Sequence, residues 1–580
     1  MRFARWSLLV SASACAWVDD ASVNAYIDAD GDGLPAQNFG GEDCDDNDAS
    51  VGGPTDGHTD ADGDGFGDVV ETSHGCAVTT DATDCDDSQA EIHPGALETC
   101  DAAGVDENCD GEAAGCTIED AGFVVTGAEV DGELGASVAV FPDVDEDGRD
   151  EILLGAPGAP GVPDEEFATD PEAGAGHCGE WYMVSPSAPK ADGTWAEPRV
   201  SVATRAQLVT YGAEETGRTG AALLVAEMTG DDVPDVVFTA PLANIDAGME
   251  NGAAYILSGH NQWSGELYAN QVWITFDNED YGRYTSSVAV STDAGIDPDA
   301  IFGAPGRYAG SGGAVVYHLP FVESWGAGDY TYPIARIDRD LDLHEAVGTS
   351  VATADLTGDG VLDYIMGAPL ADRAGDDAGA VYVLVGPVEY GELGEYNLSQ
   401  GFRLDGAGGG DGAGAALYTA DFDDDGSRDL AVAALGANAG AGAVYLVGNG
   451  IDWTDGGGSA GIAGAFATID GLERGGGIGA VMLMVGERFA IGASARNDAA
   501  GGVYFLTGAL SGAVDISTAA TLAAGPRGSH AGASLAVGEL DGDGEPDLLV
   551  GAPTAGQDVD GDGIGDTVGE VAMMPGVSLP

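Results

Sequence analysis

Short apolar runs separated by Gly- and Asp-rich turns make up most of the chain from residue 118 onward. One stretch shows the pattern clearly, with runs at Gly348–Ala354, Tyr364–Gly367, Ala380–Val385 and Phe402–Asp405. Each run is short and rich in residues that favour strands, and none has the length or the period of a helix. The pattern therefore predicts four short strands in this stretch.

Two sequence markers repeat and divide this region into seven units. The first is Gly-Ala-Pro or a variant, which starts at residues 155, 239, 303, 367, 433, 492 and 551. The second is a short apolar run, usually with Tyr, which starts at residues 180, 253, 314, 380, 443, 502 and 570. Seven units of four strands predict an all-β fold, a seven-bladed β-propeller, because ring closure leaves no long sheet edge exposed. The run Phe123–Thr126 matches the fourth strand of the other units, so we expect it to complete the seventh blade.

An acidic loop separates the first two strands of most units. Side chains with oxygen atoms fill its positions 1, 3, 5 and 9, and Ca²⁺ in proteins is bound by about six to eight such oxygens. The spacing predicts one Ca²⁺ per loop, and the alternative is that the same side chains only cap turns. The predicted ligands are Asp143, Asp145, Asp147 and Glu151; Glu227, Thr229, Asp231 and Asp235; Asp355, Thr357, Asp359 and Asp363; Asp421, Asp423, Asp425 and Asp429; and Glu539, Asp541, Asp543 and Asp547.

Three further loops depart from this scheme. The third unit offers a poor site, because its slots hold Ser291, Asp293, Gly295 and Asp299. The sixth unit has only a short turn at residues 485–488, so no site is expected there. The seventh unit has an additional loop of the same spacing, and its predicted Ca²⁺ ligands are Asp558, Asp560, Asp562 and Asp566.

The order of these features in the fourth unit points to a known repeat. Gly348 and Ser350 precede the acidic loop, and Asp363 is followed by the Gly-Ala-Pro that ends at Pro369. This order resembles the FG-GAP repeat of integrin alpha-subunit propellers, and the resemblance covers about residues 118–580. It implies a seven-bladed ring with Ca²⁺ in loops on one face and ligands on the opposite face. It does not imply the function of an integrin, because a fold alone does not determine function.

A region rich in Asp and Cys, residues 17–117, precedes the predicted propeller of residues 118–580. Its regularly spaced acids predict further Ca²⁺ loops that lack flanking helices. The region resembles thrombospondin type-3-like calcium repeats and the Asp/Cys-rich metal-binding modules of bacterial surface proteins. The predicted ligands are Asp28, Asp30 and Asp32; Asp60, Asp62, Asp64, Asp68 and Glu71; and Asp106, Asn108 and Asp110.

Six of the eight cysteines lie between Cys44 and Cys116, which predicts disulfides in an exported chain. Six cysteines allow 15 connectivities. Cys100 and Cys109 flank a short acidic loop and form the preferred local pair. Removal of Cys15 would leave seven cysteines, so either one of them is unpaired or Cys178 bonds back to the N-terminal region, for example to Cys116.

The first 16 residues have the order of a signal peptide: two arginines, an apolar run and a small-residue stretch. We therefore expect a secreted or surface-displayed protein. Processing before Cys15 would add a lipid anchor, although Ala12 stands where lipoprotein signals usually have Leu. Eighteen consecutive apolar residues occur nowhere in the chain, so no transmembrane segment is expected.

Charge excludes some partners. The chain has 18 Lys and Arg against 100 Asp and Glu, which gives a net charge of −82. Nucleic acids and anionic membrane surfaces are bound through clustered Lys and Arg, so neither is an expected partner. The 95 glycines fit a fold that is dense in turns.

The sequence contains no recognisable catalytic constellation, so we expect no enzyme. The eight histidines are scattered, and neither a metalloprotease motif nor a Gly-x-Ser-x-Gly elbow is present. A carbohydrate-active hydrolase or lyase is the alternative, because its two carboxylates would not stand out among 100 acids.

Scarce arginines recur in the loops that share the predicted ligand face, where they would meet an anionic glycan or an acidic protein. The alternative is that they pair with neighbouring acids. These residues are Arg218, Arg283, Arg307, Arg339, Arg373, Arg474, Arg496 and Arg527.

Four aromatic residues each lie eight residues after the Tyr of their unit, and we expect them to pack on the blade edge rather than to stack against sugars. They are Trp263, Trp325, Tyr390 and Trp453.

Together these features predict a calcium-binding, non-catalytic recognition or adhesion protein whose propeller binds an extracellular protein or glycan. A carbohydrate-active enzyme and a structural surface component are the alternatives.

Overall fold

The structure is a computed structural model of the chain. In the N-terminal region it describes residues 55–59, 61, 66, 72–75, 78–79, 83, 85–86, 88–89, 92 and 109. It also describes residues 123–574, with gaps at 161–177, 187–194, 196, 213–215, 229–232, 244–251, 260–263, 270–273, 277–286, 291–298, 307–311, 319–328, 331–334, 339–343, 388–393, 449–450, 473, 497–499, 517–519, 523–527 and 558–565. The chain divides into two compact units, residues 1–98 with 105–113, and residues 99–104 with 114–580. The predicted boundaries after residues 16 and 117 remain predictions.

The described part of the N-terminal unit contains a three-stranded antiparallel sheet. Its strands are β1 (Thr55–Thr59), β2 (Thr72–Gly75) and β3 (Val78–Thr79), with β1 in the centre. β1 and β2 form a hairpin in which His58 lies opposite Thr72. The connection between them is residues 60–71, the predicted 12-residue Ca²⁺ loop. Paired strands, rather than the helices of an EF-hand, therefore close this loop.

One disulfide is described in this region, between Cys85 and Cys109, with their Cα atoms 5.6 Å apart. The predicted local pair Cys100–Cys109 is therefore wrong, because Cys109 bonds a cysteine 24 residues away. Cys178 is a buried thiol, so of the two alternatives its bond to Cys116 is wrong and a cysteine left outside the disulfides is confirmed. Its place directly before a central strand of the propeller encloses it in the fold.

The propeller begins with β4 (Phe123–Thr126) and continues through seven units, each of which adds five strands in chain order. The first unit contains β5 (Ser137–Phe141), β6 (Glu151–Ala156), β7 (Glu180–Val184), β8 (Arg199–Ser201) and β9 (Leu208–Tyr211). The second contains β10 (Leu223–Ala226), β11 (Asp235–Ala240), β12 (Ala253–Leu257), β13 (Gly265–Tyr268) and β14 (Ile274–Phe276). The third contains β15 (Val288–Val290), β16 (Asp299–Gly303), β17 (Gly313–His318), β18 (Asp329–Tyr330) and β19 (Ala335–Asp338).

The fourth unit contains β20 (Ser350–Ala354), β21 (Asp363–Ala368), β22 (Ala380–Leu384), β23 (Gly394–Asn397) and β24 (Phe402–Asp405). The fifth contains β25 (Ala413–Ala420), β26 (Asp429–Ala434), β27 (Ala443–Val447), β28 (Ser459–Gly461) and β29 (Ala467–Asp470). The sixth contains β30 (Met482–Val485), β31 (Arg488–Gly492), β32 (Val503–Thr507), β33 (Gly512–Val514) and β34 (Ala520–Leu522). The seventh contains β35 (Ser534–Gly538), β36 (Asp547–Ala552), β37 (Gly556–Gln557), β38 (Asp566–Thr567) and β39 (Glu570–Met574).

A short helix interrupts the connections at Val202–Arg205, with 3₁₀ turns at Leu398–Gln400 and Ile462–Gly464. Ala437–Gly440 forms a turn in which Asn438 and Ala439 have positive φ. Strands dominate the rest, so the predicted all-β, seven-bladed propeller is confirmed.

Blades are numbered after the units that form them. Among the described residues, each blade has four antiparallel strands and six blades have a fifth strand borrowed from the next unit. The borrowed strands, which we call exchange strands, are β8, β13, β18, β23, β28 and β33. Each pairs in parallel with the outermost strand of the preceding blade, as Ala335 of β19 does with Gly394 of β23. The exchange strands interlock neighbouring blades, and the sequence did not predict them.

The ring closes as predicted. β4 forms the fourth strand of blade 7 and pairs antiparallel with β39, so that Phe123 lies opposite Met573 and Thr126 opposite Glu570. The first and last strands of the propeller thus share one sheet. Phe123 is fully buried and lies 5.4 Å, between ring centroids, from Trp195 of the first unit.

The core lies between the blades. All residues of the second strand are buried in β6, β11, β21, β26 and β36, because neighbouring blades cover both faces. The repeated Gly and Ser form the joints: Ser350 Oγ donates to the Gly414 carbonyl of the next blade at 2.8 Å. A Cβ at Gly367 would lie 2.0 Å from that same carbonyl oxygen. The first glycine of the Gly-Ala-Pro marker is therefore required for close packing of adjacent blades.

Candidate metal centres

The acidic loops lie between the first and second strands, at one end of the blades. In the loop of blade 5, Asp421 at position 1 accepts hydrogen bonds from the backbone N–H groups of Asp425 (3.1 Å) and Gly426 (2.8 Å). Asp143 does the same for Asp147 (2.9 Å) and Gly148 (2.8 Å) in blade 1. Position 1 therefore shapes the turn itself, which is the chemistry of the alternative without metal.

The acid at position 9 starts the second strand and is fully buried in five loops. One of its oxygens accepts the backbone N–H of loop position 2, at 2.9 Å from Leu356 to Asp363 in blade 4. The other oxygen of Asp363 accepts the N–H of Gly386, which follows the third strand, at 3.1 Å. This carboxylate therefore ties the loop to the sheet. The five acids are Glu151, Asp235, Asp363, Asp429 and Asp547.

Among the described residues, three of the loops bring three carboxylates together. In each group the candidate ligand oxygens all lie within 4.8 Å of one another. A Ca²⁺ ion binds oxygens at about 2.3–2.6 Å, so two ligands on opposite sides of one ion are separated by about 5 Å. The spacing thus fits a single hard cation. The groups are Asp143, Asp145 and Glu151; Asp421, Asp423 and Asp425; and Glu539, Asp541 and Asp543.

The electrostatics of these loops also favour a cation. Burial raises the pKa of Glu151 to about 7, and the neighbouring Asp145 and Asp143 add to the rise. Burial likewise raises the pKa of Asp429 to about 6, with further contributions from acids of its loop. Asp363 shows the same effect, again to a pKa of about 6. A bound cation would relieve the cost of these buried, crowded negative charges.

One buried oxygen lies apart from the grouped carboxylates: Asp429 is not in the blade 5 group, and a Cβ at Gly448 would lie 1.7 Å from its Oδ1. Asp429 is fully buried, and its Oδ2 accepts the N–H of Phe422 at 3.1 Å. Its Oδ1 has no hydrogen-bond partner within the part of the chain that the structure describes. A buried carboxylate oxygen without a donor costs free energy unless a proton or an ion satisfies it. The all-oxygen donor set of the loop suits Ca²⁺ or another hard cation.

The remaining predicted ligands are described only in part. Blade 2 places Glu227 and the buried Asp235 at their slots, while Thr229 and Asp231 lie outside the described residues. In blade 4, Asp355 and Asp359 lie in the turn together with Thr357. Blade 6 has the expected short turn, since β30 and β31 are separated by two residues.

Other predicted ligands fall outside the described residues. In blade 3, Ser291, Asp293 and Gly295 do so. The extra loop of unit 7 lies between β37 and β38, which pair with each other, and Asp566 belongs to β38. The residues outside the described set are Asp28, Asp30, Asp32, Asp60, Asp62, Asp64, Asp68, Glu71, Asp106, Asn108, Asp110, Asp558, Asp560 and Asp562.

Two of the predicted ligand-face arginines are paired with acids. Arg218 forms an ion pair with Glu133, and Arg373 lies 3.4 Å from the buried Glu345. Local pairing, the alternative, therefore accounts for both.

Arg496 and Arg474 have other environments. The guanidinium carbon of Arg496 lies 5.1 Å from the ring centre of Tyr504, and Arg474 is exposed. The other four lie outside the described residues: Arg283, Arg307, Arg339 and Arg527.

One of the four spaced aromatics is described. Trp453 is buried and packs edge-on against Phe402 of β24, with ring centroids 5.5 Å apart. It packs on its blade as expected, but it is buried in the core and does not lie at the blade edge. Trp263, Trp325 and Tyr390 lie outside the described residues.

Sequence reasoning missed two kinds of structural residue near the loops. One is the glycine after the third strand, such as Gly386, whose N–H binds the position-9 acid. Gly259 makes the same hydrogen bond to Asp235 in blade 2, so a glycine repeated after the third strand could have indicated this contact from the sequence. The other is Asp150, whose carboxylate accepts hydrogen bonds from the loops of two blades. The other acidic loops have no acid at its position, so no repeated pattern indicates it.

Protein-family models match both the propeller and the N-terminal region of the chain. The FG-GAP repeat model matches residues 347–384 and 531–563, which include the loops of blades 4 and 7. The Cu-binding MopE model, described as "Putative metal-binding motif", matches residues 43–52 and 84–114. No curated protein matches the chain. Among the described residues, no helix has the length and apolar character to cross a bilayer. The chain thus combines FG-GAP repeats in a seven-bladed β-propeller with an N-terminal metal-binding motif.

Proposed function

We propose that this protein is an extracellular, calcium-stabilised recognition or adhesion protein that catalyses no reaction. The observation that carries the proposal is the convergence of three carboxylates in each of three loops at one end of the blades. Metal in these loops would stiffen one end of the ring. The opposite end, formed by the other connections, would then present a fixed surface to a protein or glycan.

The choice of Ca²⁺ rests on the donor atoms. The three groups offer only carboxylate oxygens, and soft or borderline metals favour sulfur and imidazole ligands. For the N-terminal region we also propose Ca²⁺, at the spaced acids of residues 28–32, 60–71 and 106–110. The family model that matches there carries copper in its name, so copper is the competing metal for that region.

Metal counting combined with melting tests the proposal. A ligand that binds only the folded state adds about 2.7 kcal/mol per site at 100 times its dissociation constant. We expect bound Ca²⁺ in several equivalents and a melting temperature well above that in chelator, with Mg²⁺ giving a smaller rise. Equal melting temperatures in Ca²⁺ and in chelator would contradict the proposal.

A matched pair of variants assigns the effect to the loops. Asp423→Asn with Asp425→Asn removes two predicted ligands from blade 5 and should lower the Ca²⁺ count by one. Glu487→Gln changes charge in the short turn of blade 6, where no site is expected, and should leave the count unchanged.

The recognition face needs its own test. We propose that its arginines contact an anionic glycan or an acidic protein, and the exposed Arg474 supports this. Glycan-array and cell-binding assays in Ca²⁺ should show binding that weakens when Arg283, Arg339 and Arg474 are changed to Gln. Binding that is unaffected by the three changes would exclude this surface.

A further inference from the structure

Asp150 joins the acidic loops of two blades. It occupies position 8 of the blade 1 loop, and its Oδ1 accepts the N–H of Asp143 at 3.2 Å. Its Oδ2 accepts the N–H of Glu539 in blade 7 at 3.0 Å. Its own N–H donates to the Glu539 carbonyl oxygen at 2.7 Å. Asp143 and Glu539 are the position-1 residues of their loops, so one carboxylate holds the start of both.

The contact is specific to this pair of blades. Position 8 holds Pro234, Leu362, Arg428 and Pro546 in the other acidic loops, and none of these side chains can accept a hydrogen bond. Blade 7 also makes room for the contact, because a Cβ at Gly538 would lie 3.0 Å from Asp150 Oδ2 and 2.4 Å from a methyl carbon of Val140. The approach of the two loops therefore depends on residues found only here in the repeat.

The contact lies where the ring closes. Asp150 and Glu539 are separated by 389 residues, and blade 7 combines β4 with three strands from the other end of the propeller sequence. Ser534 Oγ of β35 donates to the Gly135 carbonyl at 2.7 Å in the same blade-to-blade junction. In the described parts of the loops, blades 1 and 7 are also two of the three blades that gather three carboxylates.

We propose that Asp150 is a positioning residue that couples metal binding in the loops of blades 1 and 7. This inference rests on the proposed metal binding of these loops. A cation that orders Asp143 fixes the backbone that Asp150 holds, and Asp150 in turn fixes the backbone of Glu539. Binding at either loop therefore favours binding at the other, and the coupling acts equally in both directions.

Hydrogen exchange during a Ca²⁺ titration tests the coupling in the full chain. Peptides covering residues 143–151, 539–547 and 421–429 report the midpoints for blades 1, 7 and 5 separately. Asp541→Asn with Asp543→Asn disables the blade 7 loop. With Asp150 present, this change should raise the blade 1 midpoint by about five-fold or more, the lower end of typical coupling, and leave the blade 5 midpoint unchanged.

Asp150→Asn keeps the shape of the side chain but replaces one acceptor oxygen by an amide that donates. In this background, disabling blade 7 should no longer move the blade 1 midpoint. Glu146→Gln, in the same loop, is the control: it removes the same charge from an exposed residue and should preserve the shift.

The outcomes separate this inference from the function on which it rests. The coupling is overturned if disabling the blade 7 loop leaves the Ca²⁺ midpoint of blade 1 unchanged. It is also overturned if the midpoint shifts to the same extent in the Asp150→Asn background. In both cases the proposed metal binding is unaffected. If none of the three loops responds to Ca²⁺ in the unaltered protein, the proposed metal binding fails and the coupling fails with it. Unchanged exchange in the strands of blade 5 shows that the variants remain folded.

Discussion

A single carboxylate in each acidic loop has two roles. The acid at position 9 is predictable as a ligand from its spacing. Its backbone hydrogen bonds are not, because they depend on how the loop folds over the strand. Glu151 accepts the N–H of Val144 at 2.8 Å and the hydroxyl of Ser185 at 3.1 Å. The position-9 acids therefore hold the loop against the strand through these hydrogen bonds, whether or not metal is present.

The buried acids predict an unusual pH dependence for the metal-free protein. Glu151 has a pKa raised from 4.5 to about 7, and Asp363 and Asp429 have pKa values raised from 3.8 to about 6. At pH values between the ordinary pKa and the raised pKa of each acid, the folded chain binds more protons than the unfolded chain. The free energy of unfolding should therefore be highest below about pH 4 and fall as the pH rises to 7.

Melting in chelator from pH 4.5 to 7.5 measures this effect, and a melting temperature that rises over that range would contradict it. Glu151→Gln should flatten part of the slope, because the amide is neutral at every pH. Glu146→Gln, an exposed change in the same loop, should leave the slope as it is. Saturating Ca²⁺ should reverse the trend, since the cation binds the ionised carboxylates.

The main strands could be predicted, while the exchange strands could not. β24 has the predicted bounds of Phe402–Asp405, and β20, β21 and β22 differ from the prediction by two residues or fewer at each end. Their apolar runs carry the signal. Exchange strands such as β18 (Asp329–Tyr330) and β28 (Ser459–Gly461) have two or three residues and little apolar character. They form because a neighbouring blade offers an unpaired edge, which local sequence does not record.

Proline substitution in β33 should show how much an exchange strand stabilises the ring. Gly512 N–H donates to the Phe466 carbonyl at 2.8 Å, so the alternating pattern directs the N–H of Val514 toward β29 and that of Ala513 away. Val514→Pro removes a hydrogen bond of the ladder and should lower the free energy of unfolding by about 1–3 kcal/mol. Chemical denaturation gives this quantity.

Ala513→Pro is the matched control, because the exposed Ala513 has its N–H on the open side of β33. It restricts the preceding residue in the same way but should cost less than Val514→Pro. Equal losses in both variants would mean that the parallel pairing contributes little beyond the shape of the connection.

The ring was predictable because the joints between blades repeat in the sequence. Ser137, Ser287, Ser350 and Ser534 each donate to a glycine carbonyl of the adjacent blade. The Gly-Ala-Pro marker, whose first glycine packs at these contacts, occurs seven times, counting its variants, and gives the number of units. The disulfide was not predictable, because Cys85 and Cys109 meet only through the fold of the N-terminal unit. A motif that occurs in seven units can be recognised from the sequence. A single disulfide has no such repetition, and six cysteines allow 15 connectivities.

The net charge of −82 makes the stability of the whole molecule sensitive to salt as well as to metal. Screening shortens the reach of charge repulsion from about 10 Å at 0.1 M salt to about 3 Å at 1 M. In chelator, raising NaCl over this range should increase the melting temperature, because the carboxylates of the empty loops repel one another. With Ca²⁺ bound the increase should be smaller, since each ion already neutralises two charges at the points of greatest crowding. Thermal melts in NaCl with chelator and with Ca²⁺ measure the difference. A salt response of equal size in both would mean that the repulsion is spread over the whole surface and is not concentrated in the loops.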